Sequence, residues 1–217
     1  VWADQLMALF LPELVSPGDE ILFDVKCSKA LEEMIIRYQG KPVMWKTGHS
    51  LIKQKMFEHN CKFGGEMSGH IFFADDYYGY DDAIYVAARL LQTLSSSKKT
   101  LSQLTAELPK YFSTPEIRLE ANSDEEKFKI SKKAVEYFSS NFDCLTIDGV
   151  RINFDDGWGL VRASNTQPVI VCRFEAKTQE RMEEIKDMVT TKLSEMGELK
   201  SDVGYYRIQR THIIHSI

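Results

Sequence analysis

The sequence lacks an excess of basic residues. It has 27 Lys and Arg against 32 Asp and Glu, which gives a formal net charge of −5 at pH 7. Nucleic acids and anionic membrane surfaces bind proteins largely through basic side chains that replace counterions. We therefore expect no nucleic acid or membrane partner, and an anionic ligand would need a local pocket of Lys and Arg.

Paired cysteine motifs and long apolar runs are also lacking. The four cysteines show no CxxC spacing, which argues against a zinc site or a disulfide framework and favours reduced thiols in the cytoplasm. The apolar run Leu6–Leu11 is far too short to span a membrane, and no targeting segment is visible. The sequence therefore predicts a cytoplasmic protein.

The first half of the chain has the pattern of a mixed α/β domain. The whole chain has 217 residues, 43% of them hydrophobic, which is enough for one large or two small domains. Ile21–Val25 is an apolar run typical of a strand buried on both faces, and a helix is predicted to follow it over Lys29–Gln39. Ser28 is expected to cap that helix, and Gly40 to end it in a left-handed conformation.

The second half predicts an α+β domain. Ser113–Pro115 is the best candidate for an interdomain hinge, so we expect domains over residues 1–114 and 115–217. The pattern after the hinge is approximately βαββββα, with a hairpin turning on Asp148-Gly149 and a last helix over about Gln179–Met196. That order implies an antiparallel sheet backed by helices.

Two polar loops are the candidate functional sites. In Phe63–His70, glycines surround Glu66 and Ser68, a carboxylate and a hydroxyl that suit the hydroxyl groups of a sugar. The alternative is a plain hairpin with a solvated Glu66. In Arg162–Pro168, a phosphate cradle or an ordinary polar turn is possible, because the loop offers Arg162, Ser164, Asn165 and Thr166. Asp81 and Asp82, at the head of a predicted helix, are expected to act as helix caps.

Taken together, the loops resemble those of the α-D-phosphohexomutase superfamily. The resemblance rests, in order along the chain, on Asp24–Ser28, Lys46–Ser50, Gly65–His70 and Arg162–Pro168. It extends over roughly residues 4 to 197, and the Gly-Glu-Met-Ser-Gly-His form is similar to that of the bacterial mannose and glucose mutases. The remaining segment, 203–217, lies beyond it, and its His212 and His215 are expected to be tail residues without a metal.

The resemblance implies the third and fourth domains of a four-domain isomerase. Such enzymes interconvert hexose 1-phosphates and hexose 6-phosphates through a phosphoserine, Mg²⁺ and a hexose 1,6-bisphosphate intermediate. No loop resembling the phosphoserine or metal loop occurs in this sequence, so we expect no metal site here. The N-terminal domains would supply both loops, and this chain alone would be inactive. The alternative is a stand-alone, non-catalytic module that binds sugar phosphates.

The resemblance also implies a role for each motif residue. Glu66 and Ser68 would hold the sugar, while Arg162, Ser164, Asn165 and Thr166 would hold the phosphate that is not reacting. Lys26 and His49 would line the same cleft, although each could instead be structural or solvated. His70 is a candidate general acid or base, and its alternative is a histidine that only hydrogen-bonds the loop backbone.

Overall fold

The computed structural model describes residues 1–201, so segment 203–217 with His212 and His215 lies outside the described residues. The elements of the first half are α1 (Ala3–Leu14), β1 (Glu20–Asp24), α2 (Lys29–Arg37), β2 (Lys41–Trp45), α3 (His49–His59), β3 (Phe63–Gly65), β4 (Ile71–Phe73), α4 (Ala83–Ser96) and α5 (Leu101–Ala106). They form a four-stranded sheet in the order β2-β1-β3-β4.

This sheet is mixed and covered on both faces. β1 pairs in parallel with β2 and β3, while β4 is antiparallel to β3. Ile21 and Phe23 of β1 pack into a core with α1 and α2, and Leu22 packs into a second core with α3. The prediction of a strand buried on both faces is therefore confirmed. Because the parallel strands end at one edge, the loops that follow them meet there.

The ends of α2 show one correct prediction and one wrong one. The Ser28 side chain accepts a hydrogen bond from the Ala30 amide, as expected of a cap. The left-handed residue, however, is Gln39, with φ of 63°, rather than Gly40. Glycine is needed at position 40 for space, since a Cβ there would lie 3.0 Å from side-chain atoms of both Ile35 and Val15.

The second half forms the predicted antiparallel sheet. Its elements are β5 (Phe112–Ser113), β6 (Ile117–Ala121), α6 (Asp124–Asn141), β7 (Cys144–Leu145), β8 (Val150–Phe154), β9 (Gly157–Ala163), β10 (Val169–Ala176), α7 (Gln179–Met196) and β11 (Leu199–Ser201). The strand order is β11-β6-β10-β9-β8-β7, with β5 paired to β10. Helices α6 and α7 pack against this sheet around one hydrophobic core. The predicted fold class is confirmed in both halves.

Candidate functional site

The glycine-rich loop joins β3 to β4 as a tight hairpin. The Glu66 amide donates to the His70 carbonyl at 2.8 Å, and the Gly69 amide donates to the Glu66 carbonyl at 3.0 Å. Gly69 has φ of +106°, which favours glycine. Gly64 and Gly65 serve close packing instead, because a Cβ on either would lie 2.8 Å from a backbone oxygen. The loop is thus a hairpin, as the plain-hairpin alternative predicted.

The plain-hairpin alternative also predicted a solvated Glu66, and this part of it is wrong. The residue is 1% exposed, and its Oε1 accepts a hydrogen bond of 2.6 Å from the Gly48 amide. Burial raises the pKa of the Glu66 carboxyl, and the nearby Asp24 charge raises it further, against the opposing effect of the Gly48 hydrogen bond. Ser68, two residues on, is exposed. The loop therefore presents a hydroxyl outward beside a carboxylate held against the α3 N-terminus.

Asp24 holds three of the motif segments together, and the sequence reasoning did not single it out. Its fully buried carboxylate accepts from the Met67 amide at 3.1 Å and the Thr47 hydroxyl at 3.1 Å. The Cys27 thiol donates to the same carboxylate at 3.2 Å. Its position at the carboxyl end of a parallel strand is the sequence signal that could have identified it.

His70 and His49 lie side by side at this edge of the sheet. Their ring centroids are 5.4 Å apart, and both residues are exposed. His70 Nδ1 lies 2.6 Å from Asp81 Oδ2. Because a carboxylate accepts hydrogen bonds, Nδ1 carries the hydrogen, and Nε2 of the neutral ring is free to accept a proton. Asp82 caps α4 as predicted, whereas Asp81 orients His70 instead of capping.

Lys26 lies between two carboxylates. Its Nζ is 3.0 Å from Glu116 Oε1 and 3.7 Å from Asp24 Oδ2, and the residue is 6% exposed. Burial by itself would raise the pKa of Glu116, but the hydrogen bond and charge of Lys26 outweigh it and lower that pKa. The ammonium therefore joins the first sheet to the start of the second.

Side chains of the second sheet also hydrogen-bond to the backbone around Lys26. Arg151 Nη1 donates to the carbonyls of Val25 at 2.5 Å and Cys27 at 3.0 Å, and Arg173 donates to that of Lys26. The Arg151 guanidinium stacks on the Trp158 ring at 3.8 Å. Burial lowers the pKa of Arg151 to about 10. These contacts fix where the motif after β1 sits.

The second polar loop, Arg162–Pro168, turns the chain from β9 into β10. Ser164 is buried, and Asn165 and Thr166 are exposed at the tip. Lys127 of α6, 2% exposed, supports the loop from beneath by donating to the carbonyls of Ser164 at 2.9 Å and Gln167 at 3.0 Å. The sequence reasoning missed Lys127, although its spacing from the buried residues Ile130, Ala134 and Phe138 places this lysine on the core-facing stripe of α6, which is an unusual position for a lysine.

The two polar loops are connected through Asp148, in the β7–β8 turn. Asp148 Oδ2 accepts from Arg162 Nε at 3.0 Å and from the Thr47 amide at 3.0 Å. The next amide, that of Gly48, is the one that binds Glu66. The structure thus brings Glu66, Lys26, His49, His70 and Arg162 to one region, which we call the two-loop site.

No group of three or more His, Cys, Asp or Glu side chains within residues 1–201 could hold a metal ion. The donor set of the two-loop site is also wrong for Mg²⁺, which prefers carboxylate and water oxygens, because its carboxylates are already engaged by amides, Arg162 and Lys26. The described residues therefore do not fit a Mg²⁺ site.

The fold and the site define a protein of two α/β units whose polar loops meet at one edge. Comparison with known proteins identifies the family. A model described as phosphoglucomutase/phosphomannomutase, alpha/beta/alpha domain III matches residues 2–112, and one for the C-terminal domain of the same family matches residues 99–192. The chain belongs to the phosphoglucomutase/phosphomannomutase family.

Individual relatives belong to the same family. The chain is 47% identical to a phosphomannomutase/phosphoglucomutase of Pseudomonas putida, over 89% of this chain and 42% of that protein. It is 39% identical to a phosphoglucomutase of Neisseria gonorrhoeae, over 86% and 41% respectively. A crystal structure of a family protein from Burkholderia thailandensis matches with a TM-score of 0.82 and 38% identity, covering 92% of this chain and 43% of that one. The chain thus spans about two-fifths of the length of these relatives.

Within the described residues, no helix combines the length and the apolar character needed to span a membrane.

Proposed function

We propose that this chain is the sugar- and phosphate-binding half of a phosphohexomutase, which interconverts hexose 1-phosphates and hexose 6-phosphates of mannose or glucose. The observation that carries the proposal is the Asp148 contact, which joins the Arg162 loop to the loop that holds Glu66. A phosphosugar needs a hydroxyl-binding group and a phosphate-binding group within one molecule's length. The two loops supply one each.

The proposed roles follow from the charge and the hydrogen-bonding groups of each side chain. The Glu66 carboxylate accepts hydrogen bonds from sugar hydroxyls, and the Ser68 hydroxyl can donate to or accept from an adjacent one. Arg162 offers guanidinium N–H groups to phosphate oxygens, with Ser164, Asn165 and Thr166 providing hydroxyl, amide and backbone donors around it. Lys26 and His49 line the cleft between the loops, where the Lys26 ammonium adds positive charge and the His49 ring offers a nitrogen for hydrogen bonding.

One site must then accept the sugar in two orientations, because the phosphate that reacts is at C1 in one half-reaction and at C6 in the other. Adjacent ring hydroxyls exchange places when the sugar turns over, so a carboxylate and a hydroxyl side by side can bind either orientation. The phosphate that does not react stays on the Arg162 loop. The site therefore selects and orients, and orientation is a large part of phosphoryl-transfer catalysis.

His70 is proposed as the general base or acid for the sugar hydroxyl. Asp81 holds its Nδ1–H, so that Nε2 is left to take a proton from an attacking hydroxyl. In the complete protein, His70→Ala should reduce turnover by about 10²–10⁴-fold. Turnover that stays within about tenfold of the wild type would remove this role.

The phosphoryl donor and the metal are proposed to come from a part of the protein outside this chain. We propose a phosphoserine and Mg²⁺ there, with a hexose 1,6-bisphosphate as the intermediate and activator, and with N-terminal domains as the partner of this half. The support is the shared family and the two-fifths coverage of its members. This chain by itself is then expected to bind substrate without turning it over.

We also propose residues 1–114 and 115–217 as the two domains. Separate hydrophobic cores on the two sheets support this division. Ser113 and Thr114 already hydrogen-bond to β10, so the chain joins the second sheet just before the boundary. A cytoplasmic location is proposed from the four free cysteine thiols, a state that a reducing compartment maintains.

Binding measured by isothermal titration calorimetry tests the function. The chain should bind glucose 1-phosphate or mannose 1-phosphate saturably at millimolar concentrations, and either Glu66→Ala or Arg162→Ala should weaken binding at least tenfold, as loss of a charge-assisted contact requires. Lys132→Ala, at a lysine whose side chain is 80% exposed on α6, is the control and should not change it. No saturable binding by the wild type, or mutase turnover by the chain alone, would contradict the proposal.

A further inference from the structure

The Asp148 carboxylate is placed unlike an ordinary surface acid. It belongs to the turn between β7 and β8, its side chain is 16% exposed, and one oxygen, Oδ2, accepts both the Arg162 and the Thr47 hydrogen bonds. The Thr47 donor lies 101 positions away in the sequence and in the other sheet's unit. A solvated turn aspartate would need neither partner.

We propose that Asp148 is a positioning residue that aims the Arg162 guanidinium at phosphate and couples the phosphate loop to the sugar loop. This inference rests on the proposed function for its ligand and deepens it. The role is distinct from contact with substrate, since Asp148 acts through Arg162 and through the Thr47-Gly48 backbone.

The orientation of the guanidinium supports the first part. Because Asp148 occupies Nε, the terminal nitrogens are the donors left for a ligand. Arg162 Nη2 is buried and has no hydrogen-bond acceptor within the part of the chain that the structure describes. A buried donor without an acceptor is costly, and a phosphate oxygen would satisfy it. Asp148 thus binds Arg162 at Nε and leaves its Nη2 without a partner among the described residues, as a donor for phosphate.

The backbone between the two carboxylates supports the second part. Thr47 N donates to Asp148, and the next amide, Gly48 N, donates to Glu66 Oε1 at 2.6 Å. Consecutive amides are linked through one residue, so a shift of Thr47 changes the direction of the Gly48 N–H. Asp148 and Glu66 therefore bind consecutive amides of the same short backbone segment, and loss of one contact should weaken the other.

Titrations with inorganic phosphate and with glucose 1-phosphate test the proposal. Asp148→Ala should weaken binding of both ligands roughly tenfold or more. Asp148→Asn, whose amide oxygen can still accept from Arg162 and Thr47, should weaken binding less than Asp148→Ala. The matched control is Asp156→Ala, which removes the partner of Arg181 in an exposed carboxylate–guanidinium pair of the same unit. It should bind both ligands like the wild type.

Coupling is measured by a double-mutant cycle between Asp148→Asn and Glu66→Gln with glucose 1-phosphate as the ligand. The two effects should be non-additive. A purely structural role for Asp148 would instead give Asn and Ala variants that lose stability without this coupling. Wild-type binding by Asp148→Ala, or additive effects in the cycle, would overturn the proposal.

A readout without ligand separates this proposal from the proposed function. In amide and guanidinium NMR spectra, Asp148→Ala and Asp148→Asn should shift the Thr47 and Gly48 amide signals and speed hydrogen exchange at Arg162 Nε, whereas Asp156→Ala should not. If these changes appear but the wild type binds neither ligand, the proposed function fails and the positioning contact stands. If they are missing, the positioning proposal is wrong whatever the chain binds.

Discussion

Replacing Gly149 by alanine should destabilise the second sheet more than any other single methyl addition at a turn glycine. Gly149 has φ of +73°, and a Cβ there would lie 2.2 Å from the Val161 carbonyl oxygen and 2.7 Å from Arg162 Cα. The left-handed conformation costs an alanine about 1–2 kcal/mol. Forcing the methyl group against the β9 backbone adds about 1–3 kcal/mol.

Gly18→Ala is the matched control for this prediction. Gly18 has a similar φ of +88°, but its Cβ would meet nothing within 4 Å. It should therefore pay only the conformational cost. Urea unfolding at neutral pH measures both losses, and the difference between them, about 1–3 kcal/mol, is the contribution of the contact with β9.

The same substitution should affect the site. Because the methyl group pushes on the backbone that carries Arg162, Gly149→Ala should also weaken phosphate binding, and Gly18→Ala should not. Equal losses of stability in the two variants would refute the packing argument. So would a Gly149→Ala protein within about 0.5 kcal/mol of the wild type.

Two more predictions concern the supports of the loops. Burial raises the pKa of Glu66, so the folded state holds this proton more tightly than the unfolded chain, and its contribution to stability falls as pH rises through the raised pKa. Glu66→Gln, which still accepts from Gly48, should gain stability relative to the wild type as pH rises from about 4 through the raised pKa of Glu66, and urea unfolding that shows a constant difference would contradict this. Lys127→Met leaves the Ser164 and Gln167 carbonyls without their donor, costing about 1–3 kcal/mol. Hydrogen exchange at loop amides should quicken, whereas in the exposed control Lys132→Met it should not.

Most elements follow from local sequence because their causes are local. The last helix has the predicted bounds, Gln179–Met196, since Thr178 caps it and its apolar residues repeat at helical spacing. The same holds for the hairpin on Asp148-Gly149, whose turn needs a positive φ at the glycine. Such features depend on a few neighbouring residues.

Local rules failed where a distant group decided the conformation. Gly40 was predicted to end α2 as a left-handed residue, yet Gln39 does so, and Gly40 is required because Val15 and Ile35 pack against it. Asp81 was predicted to cap a helix, yet it binds His70 instead. In both cases the deciding contact is made with residues outside the local pattern on which the prediction rested.

The sequence alone identified the two polar loops, their order and the family they resemble, because motif residues and spacing are properties of the chain. Only the tertiary structure decided that the loops meet, and that Asp24, Lys127 and Asp148 hold them. A buried carboxylate and a solvated one have the same letter in a sequence. What distinguishes them is whether the fold removes water and supplies donors, and here the donors come from segments as much as 101 positions apart.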